Sequence, residues 1–163
     1  MTTSHPIVGV LERHCRDFHP LVAFDPKNEK MIPLDLSEAN SHFTSGIFAD
    51  TKDFTAAIMR HMSDRAAKFA VGGYAELRGM YAKSTVFDPV GEEVEPRRMH
   101  LGLDIWGSAG TPVLAPLEGV LHSAAMNGSD GDYGSTLVFE HELDGISFHT
   151  LYGHLSASDQ TFR

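Results

Sequence analysis

The sequence predicts an α+β chain, with an N-terminal helical portion followed by an antiparallel β portion. Three observations carry that expectation. Apolar residues recur at helical spacing from Phe54 to Phe69. From Met99 onward the chain breaks into short β-rich runs punctuated by Gly, Pro, Asn and Asp. Asp144-Gly145 stands between two of those runs and has the composition of a two-residue type I′ hairpin turn. The boundary falls near residue 84, giving a helical and loop region over 1–84 and a β domain over 85–163.

Taken in order, residues 6–18 read as a short helix. Pro6 suits its first turn, Ile7, Leu11, Cys15 (or His14) and Phe18 recur along one face, and His19-Pro20 closes it. Residues 21–24 read as a short strand, and 25–46, rich in Pro, Asn, Ser and Asp, as mostly loop. A longer helix is expected over 51–69. Asp50 or Thr51 caps it, Phe54, Ile58, Met62, Ala66 and Phe69 form its core-facing stripe, and Gly72-Gly73 ends it. Residues 74–84 read as strand or loop, and 85–98 as an acidic, Pro-containing connector. The runs 136–143 and 146–152 form the hairpin, whose turn sets Glu140 opposite His149 and Phe139 opposite Thr150.

Composition narrows the function. The 163 residues, 42% hydrophobic and 21% charged, suffice for one domain with a sizeable core and have the composition of an ordinary globular chain rather than a disordered one. Thirteen Lys and Arg against 22 Asp and Glu give a formal charge of -9, which argues against nucleic acid and anionic membranes as main partners. Arg97-Arg98 is the only basic doublet. Cys15 stands alone, so neither an intramolecular disulfide nor a thiolate zinc site is available. No apolar run approaches the ~20 residues of a membrane span. Residues 1–19 lack a basic segment and an unbroken apolar run of the secretory kind, which by itself reads as cytoplasmic. Ten histidines supply the obvious metal chemistry.

His100-Leu101-Gly102-Leu103-Asp104 sets an imidazole and a carboxylate four positions apart. In a flat strand they would sit ~13 Å apart at ~3.3 Å per residue. One zinc ion needs its ligands at ~2.0–2.2 Å. A shared cation therefore demands a bend, and Gly102 tolerates the dihedrals a bend requires. Alone, the motif reads first as a surface ion pair or an Asp cap beside an unrelated His. It is followed by the Pro/Gly-broken segment 110–120 and then by Leu151-Tyr152-Gly153-His154-Leu155-Ser156.

These three blocks, in this order and spacing, resemble the lysostaphin-like zinc endopeptidases that cut peptidoglycan cross-links. The resemblance spans roughly residues 99–156. It implies a β domain of the duplicated hybrid kind, Zn2+ as cofactor, peptidoglycan peptides as substrate and a place in the cell envelope. It also implies that His100 and Asp104 are two zinc ligands and that His154 is a catalytic, non-ligand histidine. The segment 72–84, with Glu76, Arg78 and Tyr81, and Glu95-Pro96-Arg97-Arg98 look like a less familiar branch and receive no role. Zinc with one open position lowers the pKa of its water to ~7. An imidazole nearby then shuttles a proton or stabilises the oxyanion.

The family's third ligand comes from a downstream His-x-His, and this sequence has none; it ends at Arg163, soon after His154. Three explanations stand. The β domain is truncated, the chain is a degenerate homologue that binds a partner, or His141, His122 or His149 substitutes. His14, His19, His42 and His61 read as solvated or capping residues, His5 as part of a frayed end, and Trp106 as a core or rim anchor. Two rival functions remain open: a non-enzymatic binding module on the peptidase fold, and a histidine phosphocarrier. Phosphocarriers share a His-x-Gly-x-Asp, but their Ala-Pro-x-x-Gly segments precede it, whereas Ala115-Pro116 follows it here.

Overall fold

The computed structural model describes residues 5–43, 46–83, 98–128 and 132–156. In chain order the first elements are α1 (Pro6–His14), β1 (Met31–Pro33), a 3-10 turn (Ile47–Ala49), α2 (Thr51–Ser63) and β2 (Phe69–Gly72). There follow β3 (Glu76–Leu77), a second 3-10 turn (Gly79–Lys83), β4 (Met99–His100) and β5 (Asp104–Trp106). The long strands β6 (Val120–Asn127), β7 (Gly134–Leu143) and β8 (Ile146–Leu155) complete the set. The chain divides into two compact units, residues 24–111 and residues 1–23 with 112–163. The expected boundary near 84 and most of the expected connector lie outside the described residues.

In the unit 24–111, β2 is the central strand, parallel to β1 and antiparallel to β5, while β3 and β4 form a separate antiparallel pair. The core gathers Ile32, Leu34 and Leu36 from and beyond β1, Phe43, Ala70 and the α2 stripe Phe54, Ile58 and Met62. Each large apolar side chain buried there contributes about 1.5–3 kcal/mol. Trp106 packs its ring edge-on to Phe54 at 5.4 Å, which makes it a core-margin residue.

α2 is capped by Asp50, whose side chain accepts from the backbone of Lys52 and Asp53. It stops at Ser63, not Phe69, because the chain turns through a Schellman motif. The amide of Ala67 bonds the Met62 carbonyl at 3.0 Å and that of Ala66 bonds Ser63 at 3.0 Å, with Ala66 left-handed at φ 50°. Phe69, expected on the helix stripe, is instead a buried residue of β2. Residues 21–24 form no strand; 25–46 does contain one, β1. α1 ends at His14 in a turn closed by Asp17 N–H to His14 C=O, so it is shorter than 6–18.

The other unit is built on an antiparallel sheet in the order β6-β7-β8. The β7–β8 turn has Asp144 at φ 50° and Gly145 at φ 75°, the pair of positive angles a type I′ turn needs. Glu140 faces His149 and Phe139 faces Thr150, the register expected from Asp-Gly. Two bulges interrupt the ladders. His122 is the extra residue on β6, and β8 carries one extra residue between the pairs Leu137–Tyr152 and Ser135–Leu155. α1 is tied to the hairpin by Arg13, 2.8 Å from Asp144 Oδ2, and by His14 Nε2, 3.1 Å from Oδ1. Helices joined to mostly antiparallel sheets make the chain α+β. Among the described residues no helix is long and apolar enough to cross a membrane.

Candidate metal centre and a separate histidine

His100 pairs with Glu76 across the β3–β4 ladder, and Asp104 pairs with Gly72 across β2–β5. Between them the chain leaves one ladder and enters another, so no flat strand separates the two side chains. Their atoms converge: His100 Nε2 lies 3.5 Å from Asp104 Oδ1. Gly102 permits this by leaving room. Its φ is outside the left-handed region, but a Cβ there would stand 3.1 Å from His100 Nε2, tight enough that the folded-back ring would have to shift by a few tenths of an ångström.

The imidazole is oriented from behind. His100 Nδ1 is 2.8 Å from the Gly73 carbonyl, which can only accept, so in the neutral ring the proton sits on Nδ1 and Nε2 presents its lone pair. Gly73 has φ +98°, and a Cβ on it would collide with Arg78 Nη2 and come within 2.7 Å of His100 Nδ1.

Asp104 is equally constrained. Its Oδ2 accepts from Arg78 Nη2 at 2.5 Å, and Arg78 Nε donates to Glu76 Oε2 at 2.7 Å. Glu76 Oε1 accepts from the Leu36 amide at 2.8 Å, and Arg78 Nη1 reaches the Tyr81 hydroxyl at 3.4 Å. The Arg78 side chain is only 6% exposed. Burial works against its charge, but Asp104 and Glu76 outweigh that and hold the guanidinium pKa above its ordinary value.

Nitrogen and oxygen donors bound to one tetrahedral zinc at ~2.0–2.2 Å lie ~3.3–3.6 Å from each other. The His100–Asp104 spacing fits that, with the remaining ring nitrogen hydrogen-bonded in the way metal-ligating histidines require. Among the described residues no group of three or more His, Cys, Asp or Glu is gathered to hold a metal.

His154 belongs to the other unit. It sits on the β8 bulge at φ 57°, exposed, with its amide donating to the Tyr133 carbonyl at 2.6 Å and its ring 6.5 Å from that of Tyr133. The bulge breaks the alternation of β8, so side-chain facing counted along a regular strand does not carry from His149 to His154. His141 is 2% exposed with both ring nitrogens engaged, Nδ1 with the Glu118 carbonyl and Nε2 with Thr150 Oγ1, each at 2.7 Å. The rings of His122 and His149 lie edge-on at 4.8 Å, and Glu140 accepts from Ser147. His14 pairs with Asp17 and Asp144, and its pKa is raised chiefly by the hydrogen bond to Asp144, then by that to Asp17. His61 is shifted down, first by burial and then by Arg65 and His42.

Sequence reasoning gave Gly73 only a helix-ending role and gave Glu76 and Arg78 none. The available signal was Gly72-Gly73 followed closely by an acid and a base, but nothing in the spacing shows that they close onto Asp104.

Residues 98–161 match Peptidase family M23. The DD-carboxypeptidase/endopeptidase Mpg of Neisseria meningitidis serogroup B and that of Neisseria gonorrhoeae are each 40% identical to the chain over 63 residues, 39% of this chain and 13% of the relative. The chain thus spans about an eighth of the length of these curated relatives. No solved structure gives a significant match. The resemblance to lysostaphin-like peptidases holds over the segment that carries His100, Asp104 and His154.

Proposed function

We propose that this chain, whose residues 98–161 carry the family M23 signature, is part of a zinc-dependent endopeptidase that hydrolyses peptide bonds in peptidoglycan cross-links in the cell envelope, its β portion being of the duplicated hybrid kind. The observation that carries the reading is the His100–Asp104 convergence at 3.5 Å with Nδ1 tied to Gly73. His100 Nε2 and Asp104 Oδ1 would hold the ion, which when bound supplies Lewis-acid polarisation of a scissile carbonyl and of water. A catalytic zinc held here would need a third protein ligand besides these two. The family resemblance gives His154, exposed on its bulge, the part of a non-ligand catalytic histidine, a group that would accept a proton and return it to the leaving amine.

The second reading is a binding module that has kept the peptidase architecture but not its activity. It is favoured by the absence of a three-donor group among the described residues. Metal content and turnover on purified peptidoglycan separate the two. His100→Ala is expected to lose zinc, whereas His154→Ala keeps zinc and loses about 100-fold or more in rate. Equal metal retention in both variants overturns the ligand assignment, and a metal-loaded chain without turnover favours the binding module.

A further inference from the structure

Arg78, Glu76 and Asp104 form a chain of buried and half-buried charges whose function the M23 match leaves out, since two of its members precede the matched segment. A surface ion pair would need no such explanation. Here the guanidinium is 6% exposed, Glu76 10% and Asp104 27%. Burying three charges is costly unless each is satisfied. Each is satisfied, and the arrangement has a direction: Glu76 is anchored to the Leu36 amide, Arg78 to Glu76, and Asp104 to Arg78. The end of that relay is one oxygen, Asp104 Oδ1, left facing His100 Nε2.

Resting on the zinc reading above, we infer that Arg78 is a positioning residue for the metal centre. It holds Asp104 as a one-oxygen donor, and Glu76 cancels the charge that Arg78 would otherwise set against the cation. A carboxylate free to rotate can offer both oxygens to a metal or turn away from it. The rigid guanidinium fork, engaged through Nε on one side and Nη2 on the other, stops Asp104 from doing either. A cation so close to a metal ligand would repel the metal by itself. With Glu76 attached, the trio retains one net negative charge, so fixing the geometry does not sacrifice the attraction. Lysine cannot replace this function, because an ammonium is a point donor without the fork.

The test uses the full chain and two metals, Zn2+ for affinity and Co2+ for its visible spectrum. Arg78→Lys keeps the charge and removes the fork. Its zinc affinity is expected to fall by about 10- to 100-fold, the usual effect of losing a partner behind a ligand. Its Co2+ absorption is expected to weaken as the second Asp104 oxygen joins the coordination shell. Glu76→Gln keeps Arg78 and removes the balancing charge, so its affinity falls by about 10-fold while the Co2+ band keeps its shape. A purely structural role would lower the melting temperature without altering the spectrum of the folded, metal-loaded protein. Should Arg78→Lys fail to fold, Glu76→Gln still decides: unchanged affinity overturns the inference. His100-dependent zinc binding that is indifferent to both substitutions overturns this inference alone. Zinc binding indifferent to His100→Ala overturns the ligand reading as well.

Discussion

Replacing Gly73 by alanine puts the geometry of the His100 site to a direct thermodynamic test. At φ +98° an L side chain is strained, which costs about 1–3 kcal/mol. The new Cβ also enters space held by Arg78 Nη2 and stands 2.7 Å from His100 Nδ1. Arg78 cannot swing aside cheaply, because Glu76 and Asp104 hold it. Displacing it breaks a charged hydrogen bond worth about 1.5–3 kcal/mol. Together the two effects predict a loss of about 2.5–6 kcal/mol, a large share of the ~5–15 kcal/mol that typically stabilises a domain. Urea unfolding followed by Trp106 fluorescence is the assay, since the single tryptophan reports on the unit 24–111. Nitrogen NMR of His100 should show Nδ1 losing its preference for the proton. A loss below about 1 kcal/mol with the His100 tautomer unchanged would refute the idea that Gly73 is required to make room for the ring and the guanidinium.

Ala66→Gly should raise stability by about 1 kcal/mol, because it removes a Cβ from the left-handed closing residue of α2; a denaturation midpoint that stays or falls would contradict the Schellman assignment. Ile58→Ala, at a fully buried α2 position, should cost about 2–5 kcal/mol, and a cost under 1 kcal/mol in the same unfolding experiment would argue against α2 packing on the core. His14 should titrate above its ordinary 6.5, mainly through its hydrogen bond to Asp144. Asp144 is held below 3.8, mainly by Arg13 and then by His14. The raised histidine stabilises the attachment of α1 below pH 6.5 and loses that contribution as pH climbs through its folded value. The depressed carboxylate contributes above 3.8 and loses its share as pH falls through its own folded value. Hydrogen exchange of α1 amides should therefore be slowest, after correction for intrinsic rates, between those limits, and a proton NMR midpoint for His14 at or below 6.5 would end this account.

What the sequence disclosed and what it hid follow from how local each signal is. The Asp144-Gly145 turn was legible together with its register, because a two-residue loop with positive angles at both positions allows few pairings. The Phe54, Ile58 and Met62 stripe was legible because helical periodicity is local. The end of α2 was not, since Ala66 occupies a position where glycine is the usual marker, and the apolar Phe69 continued the helical count into a strand. The motif at His100 disclosed two side chains that do meet, and it required the bend that is observed. The support behind them stayed hidden. Gly73 and Arg78 lie over twenty residues upstream of His100 and Asp104, and only tertiary contacts join them. The bulge that carries His154 likewise depends on pairing between strands rather than on any residue pattern within β8.

The partner strands of β4 and β5 are β3 and β2, both upstream of residue 98. An excised fragment matching the peptidase segment alone would keep His100 and Asp104 yet deprive both of their ladder neighbours and the aspartate of its counter-cation. Any shortened version of this chain meant to keep the His100–Asp104 pair on its ladders would therefore begin no later than β1, the strand against which β2 pairs.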